Sequence, residues 1–170
     1  ADTPCTVFDL GTGSGADALA IARERPRARV IGTDCSRDAL AMAEQNAARL
    51  GLCNIEFRHG VWFAAPPGVA ADVVVSNPPY VRRGDPHLSA GDLRFEPESA
   101  LIGGADGLDA IRQIVAAGRN HLRRGGWLLL EHGADQGTAV HMLLAQSGYT
   151  DIAGRSDLDG RDRVASARRP

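Results

Sequence analysis

The run Asn77-Pro78-Pro79-Tyr80 places an amide side chain and an aromatic ring on either side of two prolines. Two acceptors that take both hydrogens of an NH2 group can aim its nitrogen at an electrophilic carbon. The Asn77 side-chain carbonyl is one such acceptor, and the Pro78 backbone carbonyl, stiffened by Pro79, is a second. Tyr80 can lie against a flat group. This equipment suits a planar amide or amine nitrogen, whose delocalised lone pair makes it a poor nucleophile. Orientation of this kind supplies as much as ~7–11 kcal/mol. Each acceptor gains ~1–3 kcal/mol as positive charge develops on nitrogen. No general base is required, because the proton leaves after transfer. The plain alternative is a proline-rich turn that ends a strand.

A second constellation is Asp9-Leu10-Gly11-Thr12-Gly13-Ser14-Gly15, with Asp34 further along. Glycines between a strand and a helix allow a sharp turn and the close approach of a nucleotide-like ligand. An acid roughly twenty residues on is placed to accept hydrogen bonds from ribose hydroxyls. Gly11-x-Gly13-x-x-Ala16 also fits a degenerate dinucleotide fingerprint, and a tight turn with Asp34 as a cap is the plain reading. A dinucleotide brings a pyrophosphate to such a loop. The extra acid at Asp9 suits a positively charged ligand better, such as S-adenosylmethionine with its ammonium and sulfonium.

These motifs need a sheet to hold them. Strands are expected at Thr6 to Leu10, Arg29 to Thr33, Asn54 to His59, Asp72 to Ser76 and Trp127 to Glu131. Tyr149 to Arg155 and Arg163 to Ala167 are expected to close the chain as a hairpin. Helices are expected over Ala16 to Glu24, Arg37 to Leu50, Leu108 to Leu122 and Gln136 to Ser147, with Ser36 and Gly51 as caps of the second. Arg123 to Gly126 reads as a turn. Val81 to Gly107 reads as a long loop, and such loops tend to be functional. Alternating strands and helices predict a mainly parallel seven-stranded sheet with helices on both faces.

The chain has 170 residues, 44% hydrophobic and 24% charged, which fits one domain with one core. Its formal charge of -2 gives no global field toward nucleic acid. Every cation besides histidine is arginine. Cys5, Cys35 and Cys53 are odd in number and widely spaced, which points to a reduced, cytoplasmic compartment without a disulfide frame or zinc site. No apolar run reaches membrane-spanning length. A monomer is expected.

Asp9 to Gly15, Asp34 and Asn77 to Tyr80 together resemble the class I methyltransferases that act on exocyclic or amide nitrogens. Further segments narrow the resemblance. Glu96-Pro97, Ala100-Leu101, Gly103-Gly104, Gly107-Leu108, Leu130-Glu131-His132-Gly133, Gln136-Gly137 and Asp157-Leu158-x-Gly160-x-Asp162-Arg163 look like the release-factor glutamine N5-methyltransferases. They follow that order over nearly the whole chain.

The resemblance implies a Rossmann-like class I methyltransferase fold over residues 1–170. It implies methyl transfer from S-adenosylmethionine, leaving S-adenosylhomocysteine, to the glutamine of the Gly-Gly-Gln motif in peptide-chain release factors. Asn77 and Pro78, with Pro79 and Tyr80, would hold the glutamine amide. Asp9, Gly11, Thr12, Gly13, Gly15, Asp34, Cys35, Val61, Trp62 and Asn77 would line the cofactor site. Glu96 would position either its loop or the substrate.

Two departures stand out. The small helical domain with which the family begins, and which helps engage the release factor, is expected to be absent here. Val61 stands where the family often has an acid, so backbone contacts or Trp62 would have to receive the adenine. His59 and His132 are expected to be structural. The chief alternative is an amino methyltransferase for adenine N6 in nucleic acid, using the same four residues. It would need base flipping and phosphate contacts, which the net charge does not favour. A cofactor-binding scaffold and a nicotinamide oxidoreductase are the other readings.

Overall fold

Thr6–Leu10 is buried at every position, as a strand must be when it has neighbours on both edges and cover on both faces. The computed structural model describes residues 3–64, 68–89 and 97–170. This strand, β1, lies inside a seven-stranded sheet. To one side are β2 (Arg29–Asp34) and β3 (Ile55–His59). To the other are β4 (Ala71–Ser76) and β5 (Leu122–Glu131), followed by the hairpin of β6 (Thr150–Ser156) and β7 (Asp162–Arg168). The order is β3-β2-β1-β4-β5-β7-β6. The first five strands run parallel, and β7 is antiparallel to both its neighbours.

Alternation along each strand divides the core between two faces. Val7 and Val30 point to one face and pack with Ala18 and Ala22 of α1 (Ala16–Glu24). Beside it, α2 (Arg37–Arg49) contacts β2 and β3. Where this face runs on over β4 and β5, Val73, Val75 and Leu129 are only partly buried and Trp127 is 36% exposed. Phe8, Leu10, Ile31, Val74, Leu128 and Leu130 point to the opposite face. There they meet Ile111, Ile114 and Val115 of α4 (Asp109–His121) and Val140 and Leu144 of α5 (Gly137–Gln146).

The sequence pattern anticipates the seven strands and the long helices, and Ser36 caps α2 by accepting the Ala39 N–H at 3.2 Å. Two features differ from it. Arg123 to Gly126 is part of β5 rather than a turn. The Gly125 N–H donates to the Arg169 carbonyl and the Arg169 N–H to the Gly126 carbonyl, each at 2.8 Å. The end of the chain thus extends the ladder past two glycines, with a register shift against β4. The stretch from Val81 to Gly107 also contains structure: 3-10 turn Pro86–Ser89, one-turn helix α3 (Glu98–Leu101), and a parallel bridge of Val81 to Ile102.

The register is what places the motifs. Leu10 pairs with Thr33 of β2 and with Ser76 of β4. The glycine loop, Asp34 and Asn77 therefore leave the sheet side by side at its C-terminal edge. Extra bonds lock this row. The N–H groups of Gly11 and Thr12 both donate to the Thr33 carbonyl, at 2.8 and 2.9 Å. The buried Ser76 hydroxyl donates to the Leu10 carbonyl at 2.7 Å.

Leu128→Ala should cost about 2–5 kcal/mol of stability, because it empties a fully buried site under α4 and α5. Leu158→Ala, at a fully exposed position, should change stability by less than ~0.5 kcal/mol. Urea unfolding of the two variants checks both values.

Candidate active site

The loop from Gly11 to Gly15 turns on three left-handed glycines, with φ of 72°, 56° and 92° at Gly11, Gly13 and Gly15. At Gly11 the freedom from a side chain is also steric. A Cβ there would stand 3.3 Å from Cζ3 of the Trp62 indole, which lies over the loop. Around Gly13 a Cβ would meet nothing within 4 Å, so the loop faces open space at that point.

Asp9 organises the loop from beneath. Its Oδ2 accepts the Thr12 hydroxyl at 2.6 Å and the Ala18 N–H at 3.2 Å. The residue is 2% exposed. Burial raises its pKa to about 6 against the pull of Thr12, and the charges of Asp17 and Asp34 push the same way as burial.

Asp34 fastens the loop from the side. One carboxylate oxygen accepts the Gly13 N–H at 2.9 Å, and the other accepts the Ser36 N–H at 2.8 Å. A carboxylate has about four lone-pair sites. Each oxygen of this half-buried group therefore keeps acceptor capacity for a ligand hydroxyl. Cys35 is exposed beside it, and its carbonyl is bonded to the His59 ring at 3.0 Å, which gives His59 a structural role.

Trp62 follows the exposed Val61 on a short 3-10 turn (Trp62–Ala64) and has a left-handed φ of 47°. Such a backbone is strained for a side chain of this size. Two bonds hold it. The Thr33 hydroxyl donates to the Trp62 carbonyl at 3.1 Å, and the indole N–H donates to Gln113 Oε1 at 2.9 Å.

On the other side of the glycine loop, Asn77 leaves β4 with an exposed carboxamide that bonds to no described residue. Pro78 behind it is buried, and Pro79 is partly so. Tyr80 packs its ring on the core, and its hydroxyl donates to Glu131 Oε1 at 2.9 Å. Burial, reinforced by the Glu131 carboxylate, raises the Tyr80 pKa, so the phenol stays protonated. Gln136 reaches the Tyr80 carbonyl from the start of α5. His132 is fully buried; its Nδ1 donates to the Gly133 carbonyl at 2.9 Å, which fits a structural part.

The sheet edge thus gathers Asp9, Gly11, Thr12, Gly13, Gly15, Asp34, Trp62 and Asn77-Pro78-Pro79-Tyr80, as the motifs require. Glu96 lies outside the described residues. The sequence motifs assign no role to Gln113, Glu131 and Gln136, although the last two stand in segments that carry the resemblance. Among the described residues, no group of three His, Cys, Asp or Glu is placed to hold a metal ion.

A family model described as a methyltransferase domain matches residues 1–120. The chain belongs to the methyltransferase-domain family. Curated relatives of this methyltransferase domain include the release factor glutamine methyltransferases of Xylella fastidiosa strain Temecula1 and Pseudomonas aeruginosa. These are 57% and 54% identical over 164 residues, or 96% of this chain. The chain spans about three fifths of their length, 60% and 59%. Among solved structures, a ribosomal protein L11 methylase from Lactobacillus delbrueckii subsp. bulgaricus matches with a TM-score of 0.72 at 22% identity. The match covers 99% of this chain and 72% of that one. Such neighbours establish the Rossmann-like class I methyltransferase fold, with its antiparallel C-terminal strands. Among the described residues, no helix of the methyltransferase domain is long and apolar enough to cross a membrane.

Asp9 also gives the methyltransferase domain a pH signature. The folded protein holds this proton more tightly than the unfolded chain, where Asp ionises near ~3.9. The group's contribution to stability is therefore full below that value and is lost as pH rises through about 6. The loss amounts to about 3 kcal/mol. Asp9→Asn keeps an oxygen for Thr12 and Ala18 but cannot ionise. Between pH 4 and 7 the stability of the parent should fall relative to this variant by about that amount, read as the difference between their urea unfolding curves.

Proposed function

We propose that this chain transfers a methyl group from S-adenosyl-L-methionine to the side-chain amide nitrogen of glutamine in the Gly-Gly-Gln motif of peptide-chain release factors. One observation carries the reading: Asn77 presents a carboxamide with no partner among the described residues, next to the glycine loop. The names of its relatives, release factor glutamine methyltransferases, support the substrate.

The residues present fit the cofactor. The open space at Gly13, the spare acceptor sites of Asp34 and the carboxylates of Asp9, Asp17 and Asp34 suit a cationic nucleoside. When bound, S-adenosylmethionine supplies an electrophilic methyl on a sulfonium, and S-adenosylhomocysteine is its product. Asp34 accepts from the ribose hydroxyls while keeping the loop in place. Asp9 maintains the turn and puts negative charge beneath it. Trp62 offers its indole near Gly11, where Val61 has no polar side chain to give.

At the acceptor end, the Asn77 side-chain carbonyl and the Pro78 backbone carbonyl take the two amide hydrogens. This turns the nitrogen toward the glycine loop and strengthens both bonds as the nitrogen becomes positive. Tyr80, its hydroxyl engaged by Glu131, contributes its ring as a fixed wall. The proton then departs to water at the exposed Asn77. The three free cysteines support action in a reducing compartment such as the cytoplasm. A monomer suffices, because all these groups come from one chain.

The direct test is incubation of a release factor with the protein and S-adenosylmethionine, followed by mass spectrometry. A methyl on the Gly-Gly-Gln glutamine is the expected result. Methyl on duplex DNA in a parallel reaction, and none on the release factor, would replace this reading by the nucleic-acid one. Asn77→Ala should lower kcat on the order of 100-fold, since it removes a charge-assisted acceptor worth ~1.5–3 kcal/mol. Its cofactor affinity should stay within about threefold of the parent by the same scale. Asp34→Ala should do the reverse, weakening S-adenosylmethionine binding on the order of tenfold or more in calorimetry.

A further inference from the structure

Gln136 is 3% exposed, although it stands at a loop end just before α5. Polar side chains at that position commonly cap their own helix. Gln136 makes no such bond. Its carboxamide is fully used elsewhere. Nε2 donates to the Tyr80 carbonyl at 3.0 Å and to the Asp106 carbonyl at 3.2 Å, while Oε1 accepts the Gly133 N–H at 2.7 Å. The partners belong to the exit of β4, the approach to α4 and the exit of β5.

The same region is packed too closely for side chains on its glycines. A Cβ on Gly107 would collide with the Tyr80 carbonyl oxygen, and one on Gly103 with that of Pro79. The Val81 N–H donates to the Leu101 carbonyl and the Gly103 N–H to the Val81 carbonyl, each at 2.9 Å. The peptide units downstream of Pro78 are thus held against residues 101–107. With φ of Pro78 and Pro79 fixed by their rings, few torsions remain to turn the Pro78 carbonyl.

We infer that Gln136 is a positioning residue for the acceptor-nitrogen site: by clamping the Tyr80 carbonyl to the Asp106 loop and to the end of β5, it sets the direction of the Pro78 carbonyl. The inference rests on the glutamine reading for the reaction it serves. The clamp itself stands on geometry alone.

Gln136→Glu tests it with a side chain of equal size. Ionised, the new carboxyl faces two carbonyl oxygens; protonated, it regains one donor, and burial favours that form. With a release factor as substrate, kcat should fall at least tenfold at pH 8.5 and recover toward the parent as pH is lowered to 6. The dissociation constant for S-adenosylmethionine should stay within twofold, because the glycine loop bonds to none of Gln136's partners. Gln136→Met loses all three bonds and should show the lower kcat without recovery. A ratio to the parent near one at every pH, or cofactor affinity falling in step with kcat, would overturn the inference.

Hydrogen exchange tests the clamp without turnover, and on Gln136→Glu alone should the Met variant not fold. At pH 8.5 the amides of Val81 and Gly103 should exchange at least tenfold faster than in the parent, while those of Gly11 and Thr12 keep their rates. Unchanged exchange at Val81 and Gly103 would overturn the inference. A parent that transfers no methyl to glutamine would remove the glutamine reading and leave the exchange result to decide the clamp.

Discussion

Everything at the site depends on the parallel register that ends β2, β1 and β4 in one row. Thr33, Leu10 and Ser76 are neighbours across the sheet. The chain leaves each of them through a different chemical device: an acid, a glycine turn and a proline-stiffened amide. None of the three is a site alone. The register cannot slip by one residue without sending Phe8, Leu10 and Val74 to the wrong face, so the core that stabilises the fold also fixes the chemistry. The Ser76 to Leu10 hydrogen bond and the two hydrogen bonds that Gly11 and Thr12 donate to the Thr33 carbonyl reinforce the row where the ladder runs out.

Much of this was legible in the sequence because the determining signals are local. Val73-Val74-Val75 reads as a buried strand from its run alone, and Gly11, Gly13 and Gly15 read as a turn from their spacing. Asn77 and its prolines fall at a strand end for the same reason. The illegible parts are those decided by distant residues. Gly125 and Gly126 read as a turn until Arg169, far along the chain, supplies the backbone partner that keeps them in a strand. Tyr80 meets Glu131 across 51 residues and Gln136 across 56. No periodicity joins those positions, and the side chains are common ones. Gln113, which braces Trp62 from 51 residues away, is hidden for the same reason.

The electrostatic plan of the edge is asymmetric. Carboxylates gather around the glycine loop, and one of them, Asp9, is held where water cannot reach it. Such a group loses its charge at mildly acid pH unless a cation stands nearby. Around Asn77 the arrangement is different: neutral carbonyls and a protonated phenol, with the Glu131 charge spent on Tyr80.

The position of Trp62 has an optical consequence. The chain contains two tryptophans, Trp62 and Trp127. Trp127 sits on the partly open face over β5, away from the row of motifs, and contributes a constant background. Trp62 lies against Gly11 with its indole N–H engaged by Gln113. Its emission colour and intensity report on the polarity of the glycine loop. The fold thereby carries a native fluorophore against its glycine loop, readable with ordinary light and no attached label.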